Sequence, residues 1–251
     1  MILSVNLNKI ALLRNSRGTD YPNLETFALQ ALEEGAEGIT LHPRPDHRHA
    51  TSNDVINLGK LVMAQGAEFN IEGNPFELKV GDYLGFEELV KIVQPTQATL
   101  VPDALDQITS DHGWETGDHD HELEKVIKNL KDNSERVSLF VDPDKKSIDY
   151  AQSLSANCVE IYTEAYARSF ADKSISNSDL INTYKDIIIY CKDSNLRVNA
   201  GHDLNLDNLP PLRSLGLIDE VSIGHAIIVD SLKYGFRDTI NRYINITKGQ
   251  I

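Results

Sequence analysis

The sequence predicts a (β/α)8 barrel of the TIM type with additional helices, a single domain over residues 1–251. Eight short β-branched runs alternate with segments of helical apolar period from end to end. Consecutive runs lie roughly 20–40 residues apart, which leaves room for the crossover that parallel strands require. No glycine-rich dinucleotide fingerprint follows the first run, which disfavours an open doubly wound sheet. A length of 251 residues suits one barrel, and 41% apolar residues supply a sizeable core.

In order, the expected strands are Ile2–Asn6, Glu37–His42, Glu68–Glu72, Gln97–Val101, Arg136–Val141, Cys158–Thr163, Leu196–Asn199 and Glu220–Ile223. Between them fall helical stripes. Leu24, Phe27, Ala28, Ala31 and Leu32 form one, capped by Asn23 and stopped by Gly35. Val55, Leu58, Leu61 and Val62 form the next, ending at Gly66. Phe86, Leu89, Val90 and Val93 stop before Pro95, where proline disfavours continued helix. Leu123, Val126, Ile127 and Leu130 form another stripe, followed by Leu180, Tyr184, Ile187, Ile188 and Cys191. Leu232–Ile244 reads as the final outer helix. The polar stretch Asp103–Asp120 is read as an active-site loop after the fourth strand.

Composition excludes several function classes. Thirty-eight acidic against 24 basic residues give a formal charge of −14, the wrong sign for a nucleic-acid or anionic-membrane partner. No apolar run approaches the ~20 residues that cross a bilayer. Met1–Asn6 has no basic region ahead of an apolar stretch, so no signal peptide is expected and the protein is placed in the cytoplasm. Two cysteines, Cys158 and Cys191, are too few for a disulfide framework or a zinc site and read as buried packing thiols.

In a barrel the active site sits at the carboxyl ends of the strands. Here those ends read Asn6, His42, Glu72, Pro102, Asp142 and Thr163, with His202 and Gly224 just past the last two strands. Glu160 lies inside an otherwise apolar strand, a costly place for a charge without a partner or a task. Any one of these could be structural. Two histidines and two glutamates together suit general acid–base work, because their pKa values can be moved toward neutrality.

Two segments suit anions. Ser222–Ala226 turns from the eighth strand into a helix, where free backbone N–H groups and a glycine make a phosphate site. After the second strand, His42–His49 alternates arginine and histidine, and Arg44 offers a bidentate fork. The arginines would repel a cation, so no metal site is expected there. Arg14 and Arg17, in the expected loop after the first strand, are read as adding to the same rim. Asp118-His119-Asp120-His121 has ligand-type residues but opens a helix, where acidic groups complement the dipole, and reads as a solvated cap.

Nearly end to end, the chain resembles the pyridoxine 5′-phosphate synthase family of vitamin B6 biosynthesis. The resemblance lies in Val5–Gly18, Gly38–His42 with Arg44 and Arg48-His49, Asn70–Glu72, and Leu100–Pro102 with Thr109. It continues through Val137–Asp142, Val159–Ile161, Val198–His202 and Ile223–Ile228. It implies a (β/α)8 enzyme, a homo-octamer with no cofactor or metal. The implied reaction condenses 1-deoxy-D-xylulose 5-phosphate with 3-amino-2-oxopropyl phosphate, releasing phosphate and water. By that similarity His42 and Glu72 accept protons, His202 donates one and Glu160 stabilises the transition state. Asn6, Arg17, Gly224 and His225 would hold the aminoketone phosphate, and Arg44, His49 and Thr109 the sugar phosphate.

Three positions depart from the family pattern. Asn8-Lys9 stand where the family often has Asp-His, Tyr162 where it has His, and Asp203 where it has Gly. Asn8 and Lys9 can still contact substrate. Asp203 puts a carboxylate beside a phosphate site unless it orients His202 or caps the segment near Asn205. Two other readings remain: another phosphate-handling barrel, such as an isomerase or aldolase, and a binding protein for phosphorylated ligands. A Schiff-base aldolase would need a lysine ending a strand, and no expected strand ends in one.

Overall fold

The computed structural model describes residues 1–104, 107, 109–117, 119–172 and 177–250. Among them, β1 (Ile2–Asn6), β2 (Gly38–Leu41), β3 (Glu68–Gly73), β4 (Gln97–Leu100), β5 (Arg136–Val141), β6 (Cys158–Tyr162), β7 (Arg197–Gly201) and β8 (Glu220–Ile223) pair in parallel. They pair in chain order and close through β1–β8. Strands β1, β5 and β8 occupy the residues expected from the sequence. Strand β7 lies later than expected, because Ala200 and Gly201 pair with Ile161 and Tyr162 on one side and with Val221 and Ser222 on the other. Pairing on both edges overrides the weak strand preference of Ala-Gly.

Side-chain alternation divides each strand between two environments. One face presents aliphatic and aromatic residues, such as Leu3, Val5, Ile39, Leu41, Phe69 and Ile71, all fully buried. The other face is mostly polar, and some of its hydrogen bonds join strands that are not neighbours. Asn199 on β7 donates to Gln97 on β4 at 3.0 Å, and Arg136 on β5 donates to Glu220 on β8 at 3.2 Å. Such bonds can only cross the barrel interior. Ser4 and Thr40, 2.7 Å apart, and Thr99 donating to Asn70 at 2.9 Å continue the polar filling. Arg136 also meets Glu68, and Arg197 approaches Glu220 at 3.5 Å, so the floor of the barrel is an ionic cluster. Barrel interiors are more often filled by branched aliphatic side chains.

Five helices follow the expected stripes. Helix α2 (Leu24–Glu33) starts where Asn23 accepts from the Thr26 N–H at 2.9 Å. Helix α3 (Ser52–Ala64) opens on a capping box between Thr51 and Asp54. Helices α4 (Phe86–Val93), α5 (Asp120–Lys131) and α8 (Asn177–Asp193) match their apolar stripes. The short helices α6 (Lys145–Ser153), α7 (Glu164–Asp172) and α9 (Leu209–Ser214) are not evident from periodicity. The expected final helix is two helices, α10 (His225–Tyr234) and α11 (Phe236–Lys248), broken at Gly235 with φ 81°. Both cysteines are buried free thiols. Among the described residues no helix is long and apolar enough to cross a membrane.

The segment after β1 is helix α1 (Asn8–Asn15) rather than a loop, which corrects the reading of Arg14. Arg14 is buried and grips Asp54 on α3 through two bonds of 2.6 and 2.7 Å, so it braces two helices and does not join the rim. Breaking a largely buried pair from one side leaves an uncompensated charge. Arg14→Ala is therefore expected to lower unfolding free energy in urea by about 3 kcal/mol. A loss below a few tenths would mean that solvent, not Arg14, neutralises Asp54.

Candidate active site

A cavity of about 270 Å³ opens at the carboxyl ends of the strands. Asn6, His42, Glu72, Glu160, His202, Gly224 and His225 line it, with Asn8, Lys9, Arg44, His49, Thr109 and Asp203. All were singled out from the sequence. Arg17 was as well, but it is exposed two residues beyond the end of α1 and does not line the cavity. Leu204 also lines it and was not singled out from the sequence; Ser222 had been read only as the start of the anion turn, and Ser110, which lines the cavity, and Asp103, which binds Arg44, only as part of the loop after the fourth strand. Ser222 carries a usable signal: it lies two residues after Glu220 on β8 and so shares its inward face. Asp103 lies past the end of β4, beyond the reach of strand periodicity.

Glu72 occupies the centre. Its carboxylate accepts from Asn6 Nδ2 and from Ser222 Oγ, both at 3.4 Å, and lies 3.8 Å from His42 Nδ1. The His42 backbone N–H donates to Asn8 Oδ1 at 2.9 Å, which ties the end of β2 to the start of α1. Glu160 leans along its strand over Gly201. A Cβ at Gly201 would lie 2.2 Å from Glu160 Oε1, so glycine is required for the carboxyl to sit there. His202 adopts φ 79°, and its ring lies against Phe140 and Tyr162 with centroids 5.0 and 5.2 Å away. Thr163 Oγ1 lies 2.5 and 2.6 Å from the carbonyls of Gly201 and His202, holding that left-handed turn.

Burial sets the proton affinities of these groups. It pushes Glu72 up to about 7, helped by the nearby Asp103 charge. It raises Glu160 well above the usual carboxylate range, with Glu72 and Glu220 adding repulsion. The imidazoles move the other way. Burial, then Arg44 and His49, holds His42 well below its ordinary value, and burial lowers His202. Near neutral pH the site therefore has imidazoles free to accept protons and carboxyls able to retain them. Glu160 Oε2, His42 Nε2 and His202 Nδ1 are buried with no hydrogen-bond partner among the described residues. Polar atoms left in that state suit a reacting molecule better than a structural role.

The cavity has two ends suited to anions. At one, Gly224 caps α10, whose first turn leaves backbone N–H groups without helical acceptors. A Cβ at Gly224 would lie 3.1 Å from that of Asn6, so the close approach of β1 to this turn favours glycine there. The other end holds Lys9, Arg44 and His49. Burial, followed by the charges of Lys9, Arg44 and Arg48, pushes His49 down to about 4. Arg44 is buried against Asp103. Arg48 donates to the Gln107 carbonyl at 2.7 Å and does not line the cavity. Asn15 Nδ2 fixes this loop through the carbonyls of His47 and His49, at 2.9 and 2.7 Å.

Asp118 of the acidic–histidine run lies outside the described residues. Asp120, on the first turn of α5, accepts from the Gly117 N–H at 2.9 Å and from Tyr150 at 2.6 Å, while His119 stacks on Phe76. Among the described residues no group of three or more His, Cys, Asp or Glu is placed to hold a metal. Near Asn205 the capping comes from Asn205 itself, whose Oδ1 accepts from the N–H groups of Asp207 and Asn208. Asp203 has no part in that cap.

A profile described as "Pyridoxal phosphate biosynthesis protein PdxJ" matches residues 3–249. The chain is 46% identical over 248 residues to a pyridoxine 5′-phosphate synthase of Cytophaga hutchinsonii, covering 98% of each. It is 43% identical over 247 residues to one of Christiangramia forsetii, covering 98% of this chain and 99% of that one. A tryptophan synthase structure from M. tuberculosis shares the fold alone. It has a TM-score of 0.66 and 10% identity over 98% of this chain and 93% of that one.

The raised affinity of Glu72 has a consequence for stability. The folded state binds this proton more tightly than the unfolded chain, so its contribution is complete below the ordinary glutamate value of 4.5 and lost as pH rises through about 7. Thermal denaturation should show wild type losing stability relative to Glu72→Gln over that interval. A constant difference between the two proteins would mean that Glu72 titrates alike when folded and unfolded.

Proposed function

The chain belongs to the PdxJ family of pyridoxal phosphate biosynthesis proteins, and we propose that it is a pyridoxine 5′-phosphate synthase. Its substrates are 1-deoxy-D-xylulose 5-phosphate and 3-amino-2-oxopropyl phosphate, and phosphate and water leave. The observation that carries this reading is a single cavity lined by two sets of anion-binding features and by four acid–base groups, with His42, Glu72 and Glu160 buried and His202 half-buried. Two phosphorylated substrates that must react with each other require such an arrangement.

Asn6, Gly224 and His225 hold the aminoketone phosphate at the start of α10. Arg44, His49 and Thr109, with Asn8 and Lys9 beside them, hold the sugar phosphate. The amine attacks the ketone, His202 takes up the proton that the amine sheds, and the carbinolamine loses water as His202 returns that proton to the departing hydroxyl. A C–H beside the new imine is then deprotonated by Glu72 or His42 so that phosphate can leave. Water adds, a carbon–carbon bond closes the ring, and successive dehydrations give the aromatic product. Glu160 retains its proton and donates a hydrogen bond where oxygen charge develops. Arg17 is left out of this set because it lies outside the cavity.

Exposed Leu12 and Leu13 on α1, and Val229 and Leu232 on the adjoining α10, support self-association, as a homo-octamer in keeping with the family resemblance. The strong negative charge and the absence of a spanning helix among the described residues suit a cytoplasmic enzyme of small phosphorylated metabolites.

Lys9 and Asp203 give a second reading some support: a protein that binds phosphorylated ligands without turnover. Phosphate release from the two substrates mixed together separates the readings. Turnover is expected, with kcat/KM climbing as Glu72 ionises near about 7. Glu72→Gln is expected to bind both substrates yet lose roughly 10²-fold or more in kcat. Binding of both substrates by wild type with no phosphate released would establish the second reading instead.

A further inference from the structure

Asp103 stands three residues past the end of β4, 1% exposed and outside the lining of the cavity. Its groups join three loops. Oδ2 accepts from Arg44 Nη2, past β2, and from Ser110 Oγ at 2.8 Å, later in its own loop. Its carbonyl accepts from Asn74 Nδ2 at 2.9 Å, past β3. Gln107 adds a second tie, since its carbonyl accepts from Arg48 at 2.7 Å and from Arg44 Nη1 at 3.4 Å.

These bonds decide what Arg44 can offer a ligand. The residue is 2% exposed, yet it lines the cavity. Both Nη atoms are engaged by the loop after β4, whereas Nε is buried without a partner among the described residues. A buried donor left in that state costs free energy until an acceptor arrives. An arginine already held on one edge also has less rotamer freedom to lose when an anion binds its other donors. Ser110 and its neighbour Thr109 line the cavity too, so the same carboxylate holds a second part of the wall. A neutral residue could accept these bonds but would leave a buried guanidinium without a counter-charge.

We infer that Asp103 is a positioning residue of the proposed sugar-phosphate site: from outside the cavity it fixes the Arg44 guanidinium and the Thr109–Ser110 wall in the arrangement that receives the phosphate. This assignment rests on the functional reading above. The charge of Asp103 also reaches the acid–base centre, where it adds to the raised proton affinity of Glu72. The other charged or titratable groups acting there are Arg44, His42, Glu160 and Glu220. Removing the carboxylate therefore has two readouts, one in substrate affinity and one in pH dependence.

The test measures steady-state kinetics with both substrates in wild type, Asp103→Asn, Asp103→Glu and Ser110→Ala, and in Asp103→Asn combined with Arg44→Gln. In Asp103→Asn the KM for 1-deoxy-D-xylulose 5-phosphate should rise about tenfold, while that for the aminoketone moves less than about twofold. The pH midpoint of kcat/KM should fall by about half a unit, because a negative charge that opposes Glu72 ionisation is gone. Asp103→Glu should recover part of the affinity. Added to Arg44→Gln, the Asn substitution should cost less than about threefold further, as expected when one residue acts through the other. Ser110→Ala leaves the ion pair intact and should raise the same KM about threefold, which keeps the test open if Asp103→Asn does not fold. Equal rises in both KM values, an unmoved pH midpoint, a full tenfold effect in the Arg44→Gln background or an unchanged KM in Ser110→Ala overturns the inference. Wild type that releases no phosphate overturns the functional reading instead, and calorimetric affinities for the sugar phosphate then decide the inference by the same tenfold difference.

Discussion

Alternation along a strand is the constraint on which the molecule depends. Closing eight parallel strands sends every second side chain into a narrow lumen and every other one under the helices. The outward set here is aliphatic and aromatic and forms the core beneath α2 to α11. The inward set is polar down to an ionic floor of Arg136, Glu68, Glu220 and Arg197. Five inward series deliver a functional group to the mouth, Asn6, His42, Glu72, Glu160 and Ser222, while that of β5 ends on Phe140 against the His202 ring. One rule thus gives both the fold and the position of the chemistry.

The same burial that positions these groups tunes them. Carboxyls held away from water favour their neutral form, and imidazoles favour theirs. Asp103 has opposite effects on two neighbours, adding to the rise of Glu72 while pairing with Arg44. A chain of net charge −14 can still bind anions because Lys9, Arg44 and His49 are gathered in one cavity and backbone N–H groups face the other end. Screening over roughly 8 Å hides most of the remote acidic surface from that cavity.

Much of this was legible in the sequence, because strand periodicity and strand-end chemistry are local signals. His42, Glu72 and Glu160 fall on or just past strands whose bounds shift by a residue or two, and such shifts leave the side-chain parity intact. What was not legible depends on distant pairing. Arg14 reads as a rim cation until α3 brings Asp54 to it, and α1 itself hides in a segment with little apolar period. The break at Gly235 interrupts an apolar run that reads as continuous. Gly201 looks like a turn residue, yet its role is to make room for Glu160 from the neighbouring strand.

The central claim is that burial in the lumen keeps the Glu160 carboxyl protonated at pH values where exposed carboxylates are ionised. Infrared spectroscopy reads this directly through the carbonyl stretch of a protonated carboxylic acid. At a pH below the value of about 7 to which Glu72 is pushed, but above the ordinary carboxylate range, wild type should show that band, and Glu160→Gln should lose a part of it. Superimposable wild-type and variant spectra, with no protonated-acid band in either, would contradict the account.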